Sequence, residues 1–316
     1  MTNNFIANVN YHKNEERVFL TLYRTALTSG GEELNKFYEL RSEEGDKTWT
    51  LTFDNERGNV GEGTVNIDDD LIQTVSIGKT QSKTSIVVTA KEKVRLVIYT
   101  QYVIEQNLLE TTVSIVRPAA ASETAVVIDG GHGGHDSGAV GLSGRYEKDF
   151  NLDIAIKLKE RLVQNGGFRV FLTRDGDYFV DLYERAELAN ALNADLFVSI
   201  HANASSTNPD ANGIETLFCP TGAAADADAG VFSSRLFAEI MQRRLIATLK
   251  TTDRGIVERP NLVVLRKTDM PAILVETAFV TNKNDLLNLT RSAYRKNAAD
   301  AIADSVMEAL HMLNKR

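Results

Sequence analysis

A chain of 316 residues has room for two domains, each able to bury its own core. A hydrophobic content of 43% and a charged content of 25% are ordinary for a globular protein, and the formal net charge of −8 argues against a nucleic-acid partner, which needs a basic face. The single cysteine, Cys219, excludes an internal disulfide and any cysteine-rich metal site, and no apolar stretch approaches the ~18 residues of a membrane span.

From residue 16 to residue 116 the dominant period is two. Val18, Leu20 and Leu22 alternate with Phe19, Thr21 and Tyr23, and similar runs cover 49–53, 71–77, 85–89, 94–100 and 111–116. Turn-prone pieces such as Glu43-Glu44-Gly45-Asp46 separate them. Six to eight short strands at this interval predict an antiparallel sandwich or barrel over residues 1–117. Gly78-Lys79-Thr80 ends like a phosphate loop, but Gln73 stands where the motif needs a glycine. His12 lies in a polar segment and reads as solvated. The first ten residues are polar, without the apolar region of a signal peptide; an export signal, if the protein has one, is expected outside this sequence.

Pro118-Ala119-Ala120-Ala121-Ser122 marks a composition change, and residues 118–123 are the expected linker. Beyond it, over 124–316, strands and helices alternate. The β-branched run Val126-Val127-Ile128 leads into Asp129-Gly130-Gly131-His132-Gly133-Gly134-His135-Asp136. A helix is expected over 151–163, a strand over 168–172, a helix over 182–192, and a strand over 195–200 that runs into His201. Another strand is expected over 213–219, then a long helix over 232–249, a strand over 271–275 running into Glu276, and a last helix over 293–313. This order predicts an α/β domain, a mostly parallel sheet flanked by helices, preceded by a separate all-β domain. Cys219, inside the apolar run of residues 215–219, reads as a buried inert thiol.

In open α/β sheets functional groups gather at the carboxyl ends of the strands, and here two of those ends carry His132 and His201 and a third carries Glu276. Zinc in hydrolytic sites takes three ligands from His and Asp/Glu and keeps a further position open. Two histidines fit that stoichiometry, with Asp129, Asp136, Glu147 or Asp149 as the carboxylate. Glu147 is favoured, since it falls just before the helix beginning near Asp149 and can be aimed back at the sheet edge. A dinucleotide loop fits less well: Gly131-x-Gly133-x-x-Asp136 lacks the third glycine and places an imidazole inside the cradle.

Five segments, in order, resemble the zinc-dependent N-acetylmuramoyl-L-alanine amidases of bacterial cell walls: Gly131-His132-Gly133-Gly134 with Asp136-Ser137-Gly138-Ala139; Glu147-Lys148-Asp149-Phe150-Asn151-Leu152; Thr173-Arg174-Asp175 with Leu182 and Arg185; Ser199-Ile200-His201-Ala202-Asn203; and Met270-Pro271-Ala272-Ile273-Leu274-Val275-Glu276. The resemblance covers residues 124–313. It implies an amidase/phosphorylase-like sheet, Zn2+ held by His132, Glu147 and His201, and Glu276 as the catalytic carboxylate. It implies hydrolysis of the amide joining N-acetylmuramic acid to L-alanine in peptidoglycan, and a place of action in the cell wall, the periplasm or outside the cell rather than the cytoplasm. The alternatives are a carboxypeptidase-like zinc enzyme and a catalytically dead peptidoglycan-binding protein. Two positions depart from the family pattern: His135 replaces a small residue, and Glu276-Thr277-Ala278-Phe279 carries alanine where glycine is usual.

Some members of the family carry a helix that plugs the zinc site until a partner removes it. Residues 220–231 here are short and rich in alanine, glycine and aspartate, so no obligatory activator is expected. Arg254 and Arg266 lie in the right third of the chain to share in oxyanion stabilisation, but read as solvated surface. The β-rich first domain resembles, more faintly, the AMIN peptidoglycan-targeting module, with Thr84 where an arginine is common.

Overall fold

The computed structural model describes residues 3–6, 9–13, 17–25, 38–55, 60–103, 108–221 and 232–313, and the chain divides into two compact units, Met1–Pro118 and Ala119–Arg316. In the first unit ten strands are described: β1 (Asn3–Ile6), β2 (Val9–Lys13), β3 (Val18–Thr25), β4 (Tyr38–Glu43), β5 (Thr48–Asp54), β6 (Gly63–Asn66), β7 (Ile72–Lys79), β8 (Lys83–Ala90), β9 (Arg95–Val103) and β10 (Leu108–Val116). They form two antiparallel sheets, ordered β1-β2-β3-β10-β9 and β4-β5-β8-β7-β6. Alternation decides which side chains meet: Leu20, Leu22, Ile98 and Val113 from one sheet share a buried cluster with Leu51, Phe53, Val75, Ile86 and Val88 from the other. The unit is therefore a sandwich. β4 and β6 are sheet edges with mostly exposed residues, so their apolar signal was too weak to predict. Gly78-Lys79-Thr80 closes the β7–β8 hairpin, where the Thr80 amide donates to the Lys83 carbonyl at 2.8 Å. His12 sits on β2; its side chain lies outside the described residues.

The second unit is built on a six-stranded sheet. Its elements in chain order are β11 (Ala125–Gly130), α1 (Glu147–Asn165), β12 (Arg169–Leu172), α2 (Leu182–Ala191), β13 (Leu196–Asn203), β14 (Ile214–Phe218), α3 (Ser234–Leu249), β15 (Asp253–Glu258), α4 (Val263–Arg266), β16 (Ala272–Phe279), α5 (Lys283–Thr290) and α6 (Ser292–Leu313). The sheet order is β12-β11-β13-β16-β14-β15. β12, β11, β13 and β16 run parallel, β14 is antiparallel to β16, and β15 is parallel to β14. Strands β11 and β14 are buried along their whole length; β11 accordingly opens on the apolar run Ala125-Val126-Val127-Ile128, whereas β14 also buries Glu215 and Thr216.

Helix α1 shows how the helices cover the sheet. Phe150, Ile154, Ala155, Leu158 and Leu162 recur at helical spacing and are buried in the cluster that includes Val126, Ile128, Val198 and Ile200. Each large apolar side chain contributes about 1.5–3 kcal/mol by leaving water, so an aspartate at Ile154 would break this contact. Glu147 and Asp149 occupy the first turn, where the helix dipole favours negative charge. Gly166, with φ +67 and ψ 174, ends the helix in a conformation that is essentially glycine-only. Among the described residues no helix is long and apolar enough to cross a membrane.

Strand register aligns the rim. Gly130 pairs with Ile200, His201 pairs with Glu276, and Glu276 pairs on its other side with Glu215 of β14. The residues just past Gly130, the end of β13 and the middle of β16 therefore share one level of the sheet.

Candidate metal centre

His132 sits two residues beyond the end of β11, in a loop of unusual backbone. Its φ is +62, in the left-handed region that side chains rarely occupy, and Gly133 and Gly134 follow at +130 and +56. Gly133 and Asp136 exchange backbone hydrogen bonds of 2.9 and 3.0 Å, closing the loop. Glycine is required at Gly133 because a Cβ there would lie 2.2 Å from the Tyr178 carbonyl oxygen. This conformation points the imidazole across the rim. Its Nδ1 faces Asp136 Oδ2 at 2.7 Å and its Nε2 faces Glu147 Oε2 at 3.2 Å.

Glu147, the first residue of α1, is 4% exposed. Its Oε1 lies 2.8 Å from His201 Nδ1 and accepts from the Ala202 amide at 3.1 Å and from Asn151 Nδ2 at 3.2 Å. Its Oε2 accepts from the Ala139 amide at 2.8 Å. Burial pushes this carboxyl up, but the His132 and His201 imidazoles outweigh it and hold the group far below the ordinary carboxylate range. For His132 burial works toward the neutral form, and the Glu147 and Asp136 carboxylates outweigh it and raise the imidazole. The two rings meet edge-on with centroids 4.8 Å apart.

One ligand atom from each of His132, Glu147 and His201 lies within 4.8 Å of the others, and together they make a group that can hold a metal ion. The donor set suits a divalent cation: two imidazoles and an ionised carboxylate. Asp136, against His132 Nδ1, stands where carboxylates that orient metal-binding histidines stand, and leaves Nε2 on the side of Glu147. Of the other carboxylates weighed from sequence, Asp149 is exposed. Asp129 is 1% exposed and turned to the interior, where it accepts from Arg185 at 2.7 Å, Thr173 at 2.6 Å and Ser199 at 2.7 Å. Burial would raise Asp129, yet the Arg185 charge and the two hydroxyls keep it lowered. His135 is exposed and stacks on Phe179, with ring centroids 4.4 Å apart; it is not in the three-residue group.

Glu276 shares the rim as the register partner of His201. Its Oε2 is buried without a hydrogen-bond partner among the described residues, a costly arrangement for a carboxyl group. Burial, then the charges of Glu147 and Glu215, push its pKa well above the ordinary value, with only Arg259 opposing. Glu215 itself is held by Asn203 Nδ2 and by Arg254 Nε, each at 2.9 Å. Arg254 is exposed, as expected, and also lies over the Phe279 ring at 4.8 Å; Arg266 is exposed in the last turn of α4. Sequence reasoning left Glu215 and Arg254 without roles because their meeting depends on the reversed direction of β14. Residues 222–231, the core of the segment read as leaving the site open, lie outside the described residues.

A rim that gathers two histidines and a carboxylate able to hold a metal ion, beside a glutamate with an unpartnered oxygen, has the make-up of an enzyme's active centre. The N-acetylmuramoyl-L-alanine amidase family profile matches residues 126–308, and the chain belongs to that family. It is 42% identical over 182 residues to the N-acetylmuramoyl-L-alanine amidase LytC of Bacillus subtilis, an alignment that covers 58% of this chain but 34% of LytC. It thus spans about a third of the length of that relative. With the amidase AmiA of Escherichia coli it shares 31% identity over 254 residues, covering 68% of this chain and 87% of AmiA. Among solved structures, an N-acetylmuramoyl-L-alanine amidase from Clostridium difficile 630 superposes with a TM-score of 0.55 at 37% identity, covering 60% of this chain and 98% of the other.

Proposed function

We propose that this chain hydrolyses the amide between N-acetylmuramic acid and L-alanine in peptidoglycan, with His132, Glu147 and His201 holding one zinc ion and Glu276 moving the proton. The observation that carries this reading is the convergence of the three ligand atoms within 4.8 Å beside the unpartnered Oε2 of Glu276. Family membership supports the substrate. The zinc, when bound, supplies Lewis acidity, polarising an amide carbonyl and making a neighbouring water far more acidic.

Every other part of the reaction falls to the protein. Glu147 and the two imidazoles bring one negative charge and two neutral donors, so a divalent ion held by them would keep a net positive charge, which favours a developing oxyanion. Asp136 holds His132 in the tautomer that keeps Nε2 free. Glu276, with its raised pKa, takes the proton of the attacking water at Oε2 as the new C–O bond forms at the lactyl carbonyl. It delivers that proton to the alanine nitrogen as the C–N bond breaks. General acid–base help of this kind is worth about 10²–10⁴ in rate. The products are a free lactyl carboxyl group on the intact glycan and a peptide with a new N-terminal alanine.

The first unit is proposed to bind the wall, and the protein to act in the cell wall without an obligatory activator. Purified full-length protein on isolated sacculi tests the reading. New N-terminal alanine with unbroken glycan strands supports it; release of C-terminal amino acids indicates a carboxypeptidase instead, and activity only after a partner is added removes the activator-free part.

A further inference from the structure

The Thr173-Arg174-Asp175 and Arg185 motif has no part in the chemistry above, yet its two arginines are among the largest fully or nearly fully buried side chains, at 0% and 2% exposure. We propose that Arg174 and Arg185 are positioning residues that set the distance between the two segments carrying His132 and Glu147. The inference rests on the zinc reading of that site.

Arg174 lies two residues beyond β12, with its side chain fully buried. Its Nε donates to the Gly130 carbonyl at 2.6 Å, and its Nη1 to Gly176 at 3.0 Å. Its Nη2 donates to the Gly131 carbonyl at 3.0 Å and to the Lys148 carbonyl at 2.8 Å. Gly131 immediately precedes His132, and Lys148 immediately follows Glu147. One planar group thus ties together the backbone beside each of two ligands that are 15 residues apart in sequence and come from different elements. Arg185, on the buried face of α2, completes the brace. Its Nη2 donates to the His132 carbonyl at 2.9 Å, and its Nη1 donates to Gly130 at 3.1 Å and to Asp129 at 2.7 Å. The Asp181 side chain caps α2 through the Tyr183 amide at 2.8 Å, and Arg185 Nε donates to the Val180 carbonyl at 2.9 Å, so this helix end is fixed against the loop.

Packing alone does not account for the arrangement. Apolar side chains of similar volume would fill the space without the desolvation cost of two buried cations. Asp129 forms an ion pair with Arg185, while the hydrogen bonds of Arg174 go to main-chain carbonyls. What the guanidinium fork supplies is direction: several donors in one rigid plane hold several carbonyls in one geometry, which a lysine ammonium cannot reproduce. The left-handed backbone at His132 needs such a restraint, because its relaxation would swing the imidazole away from Glu147.

The test is Arg174→Lys in the full chain, which keeps the charge and removes the fork. Two measurements are made well below the unfolding temperature: zinc affinity by competition with a chromogenic chelator, and the visible absorption of the cobalt(II)-substituted protein, which reports ligand geometry. The expected result is a zinc Kd raised about 10–100-fold, the range typical for groups that orient metal ligands, with an altered cobalt spectrum and native circular dichroism. A Kd within twofold of the parent and an unchanged spectrum, whatever the melting temperature, would overturn the proposal and leave Arg174 a packing residue. If Arg174→Lys does not fold, Arg185→Lys carries the same readouts, since it can keep the Asp129 pair while losing the bond to the His132 carbonyl. A parent protein that takes up no zinc fails the functional reading itself, a distinct outcome from a variant that binds zinc as the parent does.

Discussion

Replacing Gly131 by alanine isolates the contribution of one ligand. A Cβ built at Gly131 lies 2.1 Å from His201 Nε2, 2.2 Å from Cε1 and 2.7 Å from Cδ2. Ordinary contact begins at 3.4 Å, so the ring must retreat by 1.3 Å (3.4 minus 2.1). The loop cannot yield instead, because the Gly131 amide donates to the Ile200 carbonyl at 3.0 Å and its own carbonyl is held by Arg174. Gly131 is outside the left-handed region, so alanine costs the backbone little, and the damage falls on His201. A misplacement of about 1 Å in a catalytic constellation costs on the order of 10² in rate, or about 2.7 kcal/mol of transition-state stabilisation. The assay is kcat/KM on dye-labelled sacculi alongside zinc affinity. Gly166→Ala is the control: nothing lies within 4 Å of its Cβ, but φ is +67, so it should lose about 1–3 kcal/mol of stability and no activity. Parental activity and zinc affinity in Gly131→Ala would refute the assignment of His201 as a ligand.

Three further outcomes are expected. Glu276→Gln should lower kcat by about 10²–10⁴ while zinc still binds, and should raise the melting temperature of the metal-free protein at neutral pH. The sign follows from linkage: a carboxyl whose folded pKa is raised withdraws stability as pH climbs from its ordinary value toward the folded one, and glutamine removes that loss. Asp136→Asn should weaken zinc binding about 10–100-fold at unchanged fold, read by chelator competition. Asp129→Asn should destabilise the second unit by about 3–5 kcal/mol in urea unfolding at pH 7, because it strips a buried arginine of its counter-charge. The Asp129 pKa is depressed, so its contribution is full above the ordinary carboxylate value and disappears as pH falls through the lower folded one; the parent and Asp129→Asn stabilities should converge on acidification.

Most of the second unit was legible because its strands are buried on both faces and its helices carry clean apolar stripes, as in β11 and α1. The edge strand β15, Asp-Arg-Gly-Ile-Val-Glu, has no fully buried position, and α5 spans only eight residues, so neither rose above its surroundings. The direction of β14 was hidden for another reason. Its apolar run is the same whether it pairs parallel or antiparallel, and only the pairing puts Glu215 opposite Glu276. At the site, His132 follows a strand end as expected, but β13 and β16 run on to Asn203 and Phe279, so His201 and Glu276 lie inside their strands, at the level where β11 ends. Glu147 could be favoured over Asp129 from its place beside the start of a helix, and the structure adds why Asp129 is turned away: Arg185, 56 residues on, draws it into the interior, whereas α1 begins on Glu147 itself. The partner of Asp136 was not legible, since a carboxylate four residues from a histidine can face the ring or turn away, and the left-handed turn at His132 is what sets it against Nδ1.

Zinc removal and return is the most direct test of the account. The protein as purified should hold one zinc per chain and release N-terminal alanine from sacculi; exhaustive chelation should abolish the release, and one equivalent of zinc should restore it in the parent but not in Glu276→Gln. Full alanine release by the chelated, metal-free protein would contradict the claim that these four side chains form one hydrolytic centre.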